Sequence, residues 1–183
     1  MSFNLIITYE PGPQHLDHVF KQLNSCIGTS YVVLRARPSL LLLRVDDPYR
    51  VWYELKKTLY RTETPIQRII PVDEVVDPLV DRVAKKAREY ALKRIPENST
   101  YRVTLHGKLY KVDQSGRLVK ESSIEAIKAI ANGIDRKVDL KNPQWVVYVR
   151  TVPVGKWFVV AALSVAKAIV FKNVRVGEPE SPL

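Results

Sequence analysis

The sequence predicts an α/β chain of the α+β kind, built as two consecutive units, and three observations predict it. Short runs rich in Val, Ile and Leu alternate with stretches whose apolar residues recur at helical spacing. Two Asp-Pro pairs, Asp47-Pro48 and Asp77-Pro78, read as helix starts, a cap followed by proline at the first helical position. A first complete set of elements closes near residue 72, just ahead of the second such signal. The division expected from this is residues 1–74 and 75–183.

Phe3 to Tyr9 is apolar and β-rich, and Pro11-Gly12-Pro13 breaks it. Leu16, Val19, Phe20 and Leu23 then share one helical face, with Gly28 just beyond as a stop. Tyr31 to Arg35 and Leu40 to Val45 read as two strands of a hairpin turned at Arg37-Pro38-Ser39. After Asp47-Pro48 a second helix turns Val51, Trp52, Leu55 and Leu59 inward, and Ile66 to Val72 supplies a closing strand. The order β-α-β-β-α-β is the ferredoxin-like arrangement, one sheet with two helices on one face.

From Asp77-Pro78 the stripe Leu79, Val83, Ala87, Tyr90 and Ala91 predicts a helix ending near Ile95-Pro96. Its other side carries Arg82, Lys86 and Lys93, flanked by Lys85 and Arg88. The plain reading is a solvated face tied by local pairs to Asp81 and Glu89; the sharper one is a phosphate-facing surface. Tyr101, Val103 and Leu105 alternate with Arg102, Thr104 and His106 as in a half-exposed strand, and a polar loop runs on to Lys120. Ser122-Ser123-Ile124-Glu125 reads as a capping box opening a helix with Ile124, Ile127, Ile130 and Ile134 inward and Asn132-Gly133 near its end. Trp145 to Val152 and Trp157 to Ser164 are the last strands, joined by Pro153-Val154-Gly155-Lys156, with the apolar run 157–171 expected as buried sheet. The tail GEPESPL is expected to fray.

Composition narrows the function. Lys and Arg total 29 against 19 Asp and Glu, a net charge of +10, which favours a polyanionic partner. Cys26 is the single cysteine, so no internal disulfide and no cysteine-based zinc site forms. The N-terminus lacks the pattern of a signal peptide, and the 157–171 run is short for a membrane span and carries Lys167. A cytoplasmic chain with no membrane role is expected.

No catalytic constellation is legible. His15 and His18 have a spacing that suits a metal, but no third ligand accompanies them, and no metal or other cofactor is expected. His106 beside Gly107 has the chemistry of a base, yet no nucleophile can be assigned to it. The acids Asp46, Asp47, Asp73, Glu74, Asp77 and Asp81 gather at helix starts, where capping accounts for them. Neither of the common glycine loops for nucleotide phosphates occurs. What remains is charge mixed with aromatics. Arg102, His106, Lys108, Tyr110, Lys111, Arg117 and Lys120 share one strand and its loop, and the segment 137–143 adds Lys137, Lys141 and Asn142. Cations on adaptable backbone suit phosphate oxygens, and Tyr110 suits stacking on an unpaired base.

In "KVDLKNPQWVVYV", Asn142-Pro143 and Asp139 account for a turn, but turn chemistry requires neither lysine. Val138-Asp139-Leu140 with Asn142-Pro143, behind the Ser-Ser-Ile-Glu helix, resembles the THUMP domain, an RNA-binding module of tRNA-modifying enzymes. In that family a ferredoxin-like unit commonly precedes the module, so the resemblance spans nearly the whole chain. Family members such as 4-thiouridine synthetases and THUMP methyltransferases continue into a large catalytic domain. The segment "LSVAKAIVFKNVRV" is instead similar to the end of the small THUMP adaptor that serves an RNA cytidine acetyltransferase in forming N4-acetylcytidine. The resemblance implies a non-catalytic chain that grips the tRNA acceptor end, with Arg82, Lys86, Arg102, His106, Lys108, Lys111, Arg117, Lys120, Lys137, Lys141 and Asn142 at the RNA and the acetyltransferase as partner. An RNA-modification enzyme or subunit acting by methylation or thiolation, and a general RNA binder, are the alternatives. HGKLYK stands where THUMP proteins often have adjacent basic residues after the first strand.

Overall fold

The computed structural model describes residues 2–183. The chain divides into two compact units, Met1–Val72 with Ile169–Leu183, and Asp73–Ala168.

In the first unit β1 (Leu5–Tyr9), α1 (Pro13–Ile27), β2 (Val32–Arg37), β3 (Leu40–Arg44), α2 (Pro48–Leu59) and β4 (Ile66–Pro71) follow the expected ferredoxin-like order. The strands form one antiparallel sheet, β2-β3-β1-β4. Register is set by apolar pairs such as Ile6 with Leu42 and Ile70. Val19 and Leu23 of α1 and Trp52, Leu55 and Leu59 of α2 are buried; each such side chain contributes about 1.5–3 kcal/mol. Asp47 caps α2 as expected, its carboxylate accepting from the Arg50 N–H at 3.1 Å. Gly28 closes α1 at φ 68°, a conformation other residues adopt only with strain.

The segment ahead of the GEPESPL tail packs on the first unit. After a turn of 3₁₀ helix (Ala168–Phe171), Val174 donates to the Gln67 carbonyl at 2.7 Å along the free edge of β4. The Lys56 ammonium, 1% exposed, donates to the carbonyls of Val174 at 2.8 Å and Val176 at 2.7 Å. Periodicity places Lys56 on a helix and says nothing of a partner more than a hundred residues away. Hence the sequence assigns all of 75–183 to one unit, whereas residues 169–183 pack with the first.

The second unit contains β5 (Glu74–Val76), α3 (Val80–Arg94), β6 (Thr100–His106), β7 (Tyr110–Val112), β8 (Leu118–Lys120), α4 (Ser123–Asn132), β9 (Lys137–Val138), β10 (Trp145–Pro153) and β11 (Val159–Lys167). Its main sheet runs β5-β11-β10-β6-β9, with β6 parallel to both neighbours, and β7 and β8 form a separate hairpin. One face of the sheet meets α3 and α4 in a core that includes Val83, Ala87, Ile130, Tyr101, Val103 and Leu163.

Several expectations change in this unit. The helix after Asp77-Pro78 starts at Val80 with Leu79 as an extended N-cap. Leu79 is extended there because the Pro78 carbonyl accepts from the Tyr110 N–H at 2.8 Å and Leu79 bridges to Tyr110. The Ser122 hydroxyl caps α4 through the Glu125 N–H at 3.2 Å, but the reciprocal bond to the Ser122 N–H comes from Glu121, because Glu125 turns to Lys128. Ile124 is 68% exposed, since the buried residues of α4 are Ala126 and Ile130, with Ile134 buried just past the helix end. The polar loop 107–120 forms the β7–β8 hairpin, and the 157–171 run is not continuous sheet. It opens with exposed Trp157 and Phe158, and β11 ends at Lys167.

Candidate nucleic-acid interface

Strand β6 organises the site. Tyr101 and Val103 point into the core, so Arg102, Thr104 and His106 alternate onto the other face. At its end the chain turns at Gly107, φ 94°, where an added Cβ would collide with the Thr151 hydroxyl. Leu109, fully buried, anchors the next segment, and Tyr110 pairs with Lys120 across the β7–β8 hairpin. Asp113 shapes the hairpin turn. Its carboxylate accepts from the Ser115 hydroxyl at 2.7 Å and from the amides of Ser115 and Arg117, both at 2.9 Å. These bonds, the Ser115 hydroxyl first, hold its carboxyl below the usual range.

The structure gathers one part of the expected set here. Because Tyr110 joins the strand to the start of α3, Arg82 lies at the same end of the sheet as His106, Lys108, Lys111, Arg117 and Lys120, with Lys86 one helical turn farther along α3. Lys108 donates to the Ser123 hydroxyl at 3.0 Å and Lys111 pairs with Glu121 at 3.2 Å. Lys86 pairs with Glu89 at 3.2 Å as the plain reading has it, whereas Arg82 pairs with Asp77 at 3.5 Å rather than with Asp81. Exposed pairs of this kind contribute about 0–1 kcal/mol, and a phosphate can displace them. The His106 ring lies 5.3 Å from that of Tyr148.

The other part of the set lies at the opposite end of β6. Lys137 and Val138 pair with Thr100 and Tyr101, and six residue steps of strand separate Thr100 from His106, about 20 Å. Asp139 closes this loop by accepting from the amides of Lys141 and Asn142, each at 3.0 Å, and those bonds, Asn142 first, hold its carboxyl below the usual range. Arg102 serves the loop itself. Its Nη1 donates to the Leu140 carbonyl at 2.9 Å while Nε is buried without a partner, so its guanidinium braces the turn from behind. The side chains of Arg117, Lys120, Lys137 and Lys141 form no ion pair or side-chain hydrogen bond among the described residues.

The acids expected as caps divide differently. Only Asp47 caps through its carboxylate. Asp73, 4% exposed, accepts from Arg94 Nη1 at 2.6 Å and the Val165 N–H at 2.8 Å, and Glu74 accepts from the Tyr90 hydroxyl at 3.1 Å. Burial, reinforced by Glu74, pushes the Tyr90 phenol up to about 12. His15 engages the Pro11 carbonyl at 2.9 Å, and among the described residues no group of three or more His, Cys, Asp or Glu side chains is placed to hold a metal ion. No helix of the described residues is long and apolar enough to cross a membrane.

Sequence reasoning places the β10–β11 turn at residues 153–156 but expects the aromatics that follow it as buried sheet. β10 runs three residues past Arg150, the partner of His106, and its turn, closed by the Val154 amide on the Phe158 carbonyl at 3.0 Å, presents Lys156, Trp157 and Phe158. Trp157 is 83% and Phe158 73% exposed. The signal was there: two aromatics side by side cannot both face the core side of one strand.

No protein-family model matches the sequence, and no curated protein matches it significantly. Solved structures match its fold. A 4-thiouridine synthetase in complex with RNA and with bound ATP aligns at TM-score 0.57 and 18% identity, over 92% of this chain and 42% of that one. PH1313 from Pyrococcus horikoshii aligns at 0.59 and 16%, over 91% and 55%. TrmN from Thermus thermophilus aligns at 0.55 and 16%, over 93% and 46%. The chain thus spans about half the length of these proteins. At such identity the likeness shows the fold, a ferredoxin-like unit followed by a THUMP-like unit.

Proposed function

We propose that this chain binds tRNA at its acceptor end and presents it to a modifying enzyme, most specifically an RNA cytidine acetyltransferase forming N4-acetylcytidine. The observation that carries the reading is the cationic second unit, with one group of Lys, Arg and His side chains at the His106 end of β6 and another on the Asp139 turn, on a fold shared with a synthetase captured with RNA. A duplex carries roughly one phosphate per 1.7 Å of axis, so the ~20 Å between the groups matches about a dozen phosphates of one helical segment. Asp139 and Pro143 fix the turn, and Lys137 and Lys141 are left to meet phosphate. The acetylation assignment rests on the similarity of the Leu163–Val176 segment, and the reaction itself is assigned to the partner chain.

The test is tRNA binding across a salt series, with a log-log slope of about 0.7–0.9 for each phosphate neutralised. Incubated alone with tRNA and acetyl-CoA, the chain is expected to leave nucleoside masses unchanged, and with a cytidine acetyltransferase added N4-acetylcytidine appears. Unretarded tRNA at low salt refutes the binding. A second reading, service to thiolation or methylation, is supported by the likeness to the 4-thiouridine synthetase. A mass change with a sulfur donor or S-adenosylmethionine selects it.

A further inference from the structure

The β10–β11 turn is the most exposed aromatic surface in the second unit, and its composition specifies a ligand. Trp157 and Phe158 are adjacent and both largely in solvent. The Lys156 ammonium stands 5.4 Å from the Trp157 ring centroid, so a cation already lies against that ring. No Asp or Glu occurs between Asp139 and Glu178, and the turn, with Arg150 at its base, is a purely cationic stretch. Three strand residues, about 10 Å, carry it beyond His106.

We infer that the tip of this turn is a stacking platform for unpaired RNA bases, Trp157 and Phe158 receiving base faces while Lys156 and Arg150 meet the flanking phosphates. The inference rests on the RNA-binding reading above and adds to it a single-stranded ligand class and the residues that take it. Other occupants fit less well. An apolar protein surface gains nothing from the two cations, and a paired base offers no free face to a ring. Aromatic rings with adjacent cations recur where single strands are held without regard to sequence.

The three tryptophans make the test direct. Trp52 is 2% and Trp145 7% exposed, so iodide-accessible, red-shifted emission comes from Trp157. An unstructured oligoribonucleotide and a blunt RNA duplex are titrated separately into the full chain. The single strand is expected to quench the Trp157 emission and shield it from iodide. Trp157→Ala is expected to abolish that signal and weaken single-strand binding about 5- to 150-fold. Trp157→Phe restores most of the affinity, and blunt-duplex binding, followed by gel retardation, stays within twofold in both variants. At 83% exposure the side chain is not needed for folding, and Phe158→Ala gives an independent second loss. Single-strand affinity unchanged in both alanine variants, or bound single strand with Trp157 still open to iodide, overturns the inference while leaving the RNA reading intact. Binding of neither RNA overturns both.

Discussion

Replacing Asp73 by alanine tests how the second unit is held together. The Asp73 carboxylate bonds Arg94 and the Val165 N–H at once, tying the residue before β5 to the end of α3 and to β11. Breaking a buried ion pair costs about 3–5 kcal/mol, whereas an exposed pair contributes about 0–1. Asp73 is 4% and Arg94 21% exposed, so the pair lies nearer the buried limit and a loss of about 2–4 kcal/mol is expected. With a urea dependence of about 2 kcal/mol per molar, the midpoint falls by about 1–2 M. In a Trp52→Phe background the emission of buried Trp145 reports this unit separately. Asp73→Ala/Arg94→Met should lose less than the two single variants summed, because both singles break the same Asp73–Arg94 bond. A midpoint shift below about 0.4 M, or a double variant as unstable as the summed singles, refutes the reasoning.

Lys56→Met should release the tail from α2, exposing residues 172–183 to protease. Burial, with Lys172 nearby, lowers the Lys56 pKa below its ordinary 10.5. The unfolded chain then binds more protons between the two values, so stability should rise with pH there in the wild type and not in the variant, by urea midpoint. Tyr90→Phe should remove the phenolate that titrates last, near 12, in ultraviolet absorbance. Because that pKa is raised from 10.0, the Tyr90 contribution is complete below pH 10 and disappears as pH passes 12. The Lys141 and Asn142 amide resonances should titrate together at a pH below the ordinary aspartate value of 3.8, as Asp139 releases them, and should lose that response in Asp139→Asn. Gly107→Ala should destabilise the second unit by more than about 1 kcal/mol, since it adds left-handed strain to the collision with Thr151.

Local chemistry made much of this fold legible. Asp47-Pro48, the Gly28 stop and the alternation from Tyr101 to His106 each specify structure within a few residues, and each forms as expected. Asp73, Lys56 and Arg102 find partners 21 to more than 100 residues away, which no periodicity encodes. The same holds for the site. Residue type identified the cations, but β6 decides that Lys120 and Lys141 lie at opposite ends of one strand rather than in one cluster. Trp157 was hidden by its setting, the start of an apolar run that reads as buried sheet right up to the turn, whereas β11 begins only at Val159.

The central claim is that cations at both ends of β6 meet one RNA. The most direct test compares the salt dependence of tRNA affinity for the wild type, Arg117→Ser/Lys120→Ser and Lys137→Ser/Lys141→Ser. The account predicts weaker binding and a slope reduced by about 1.4–1.8 in each double variant, because each removes the cations that neutralise two phosphates at its end of the strand. An unchanged slope in either variant would contradict it.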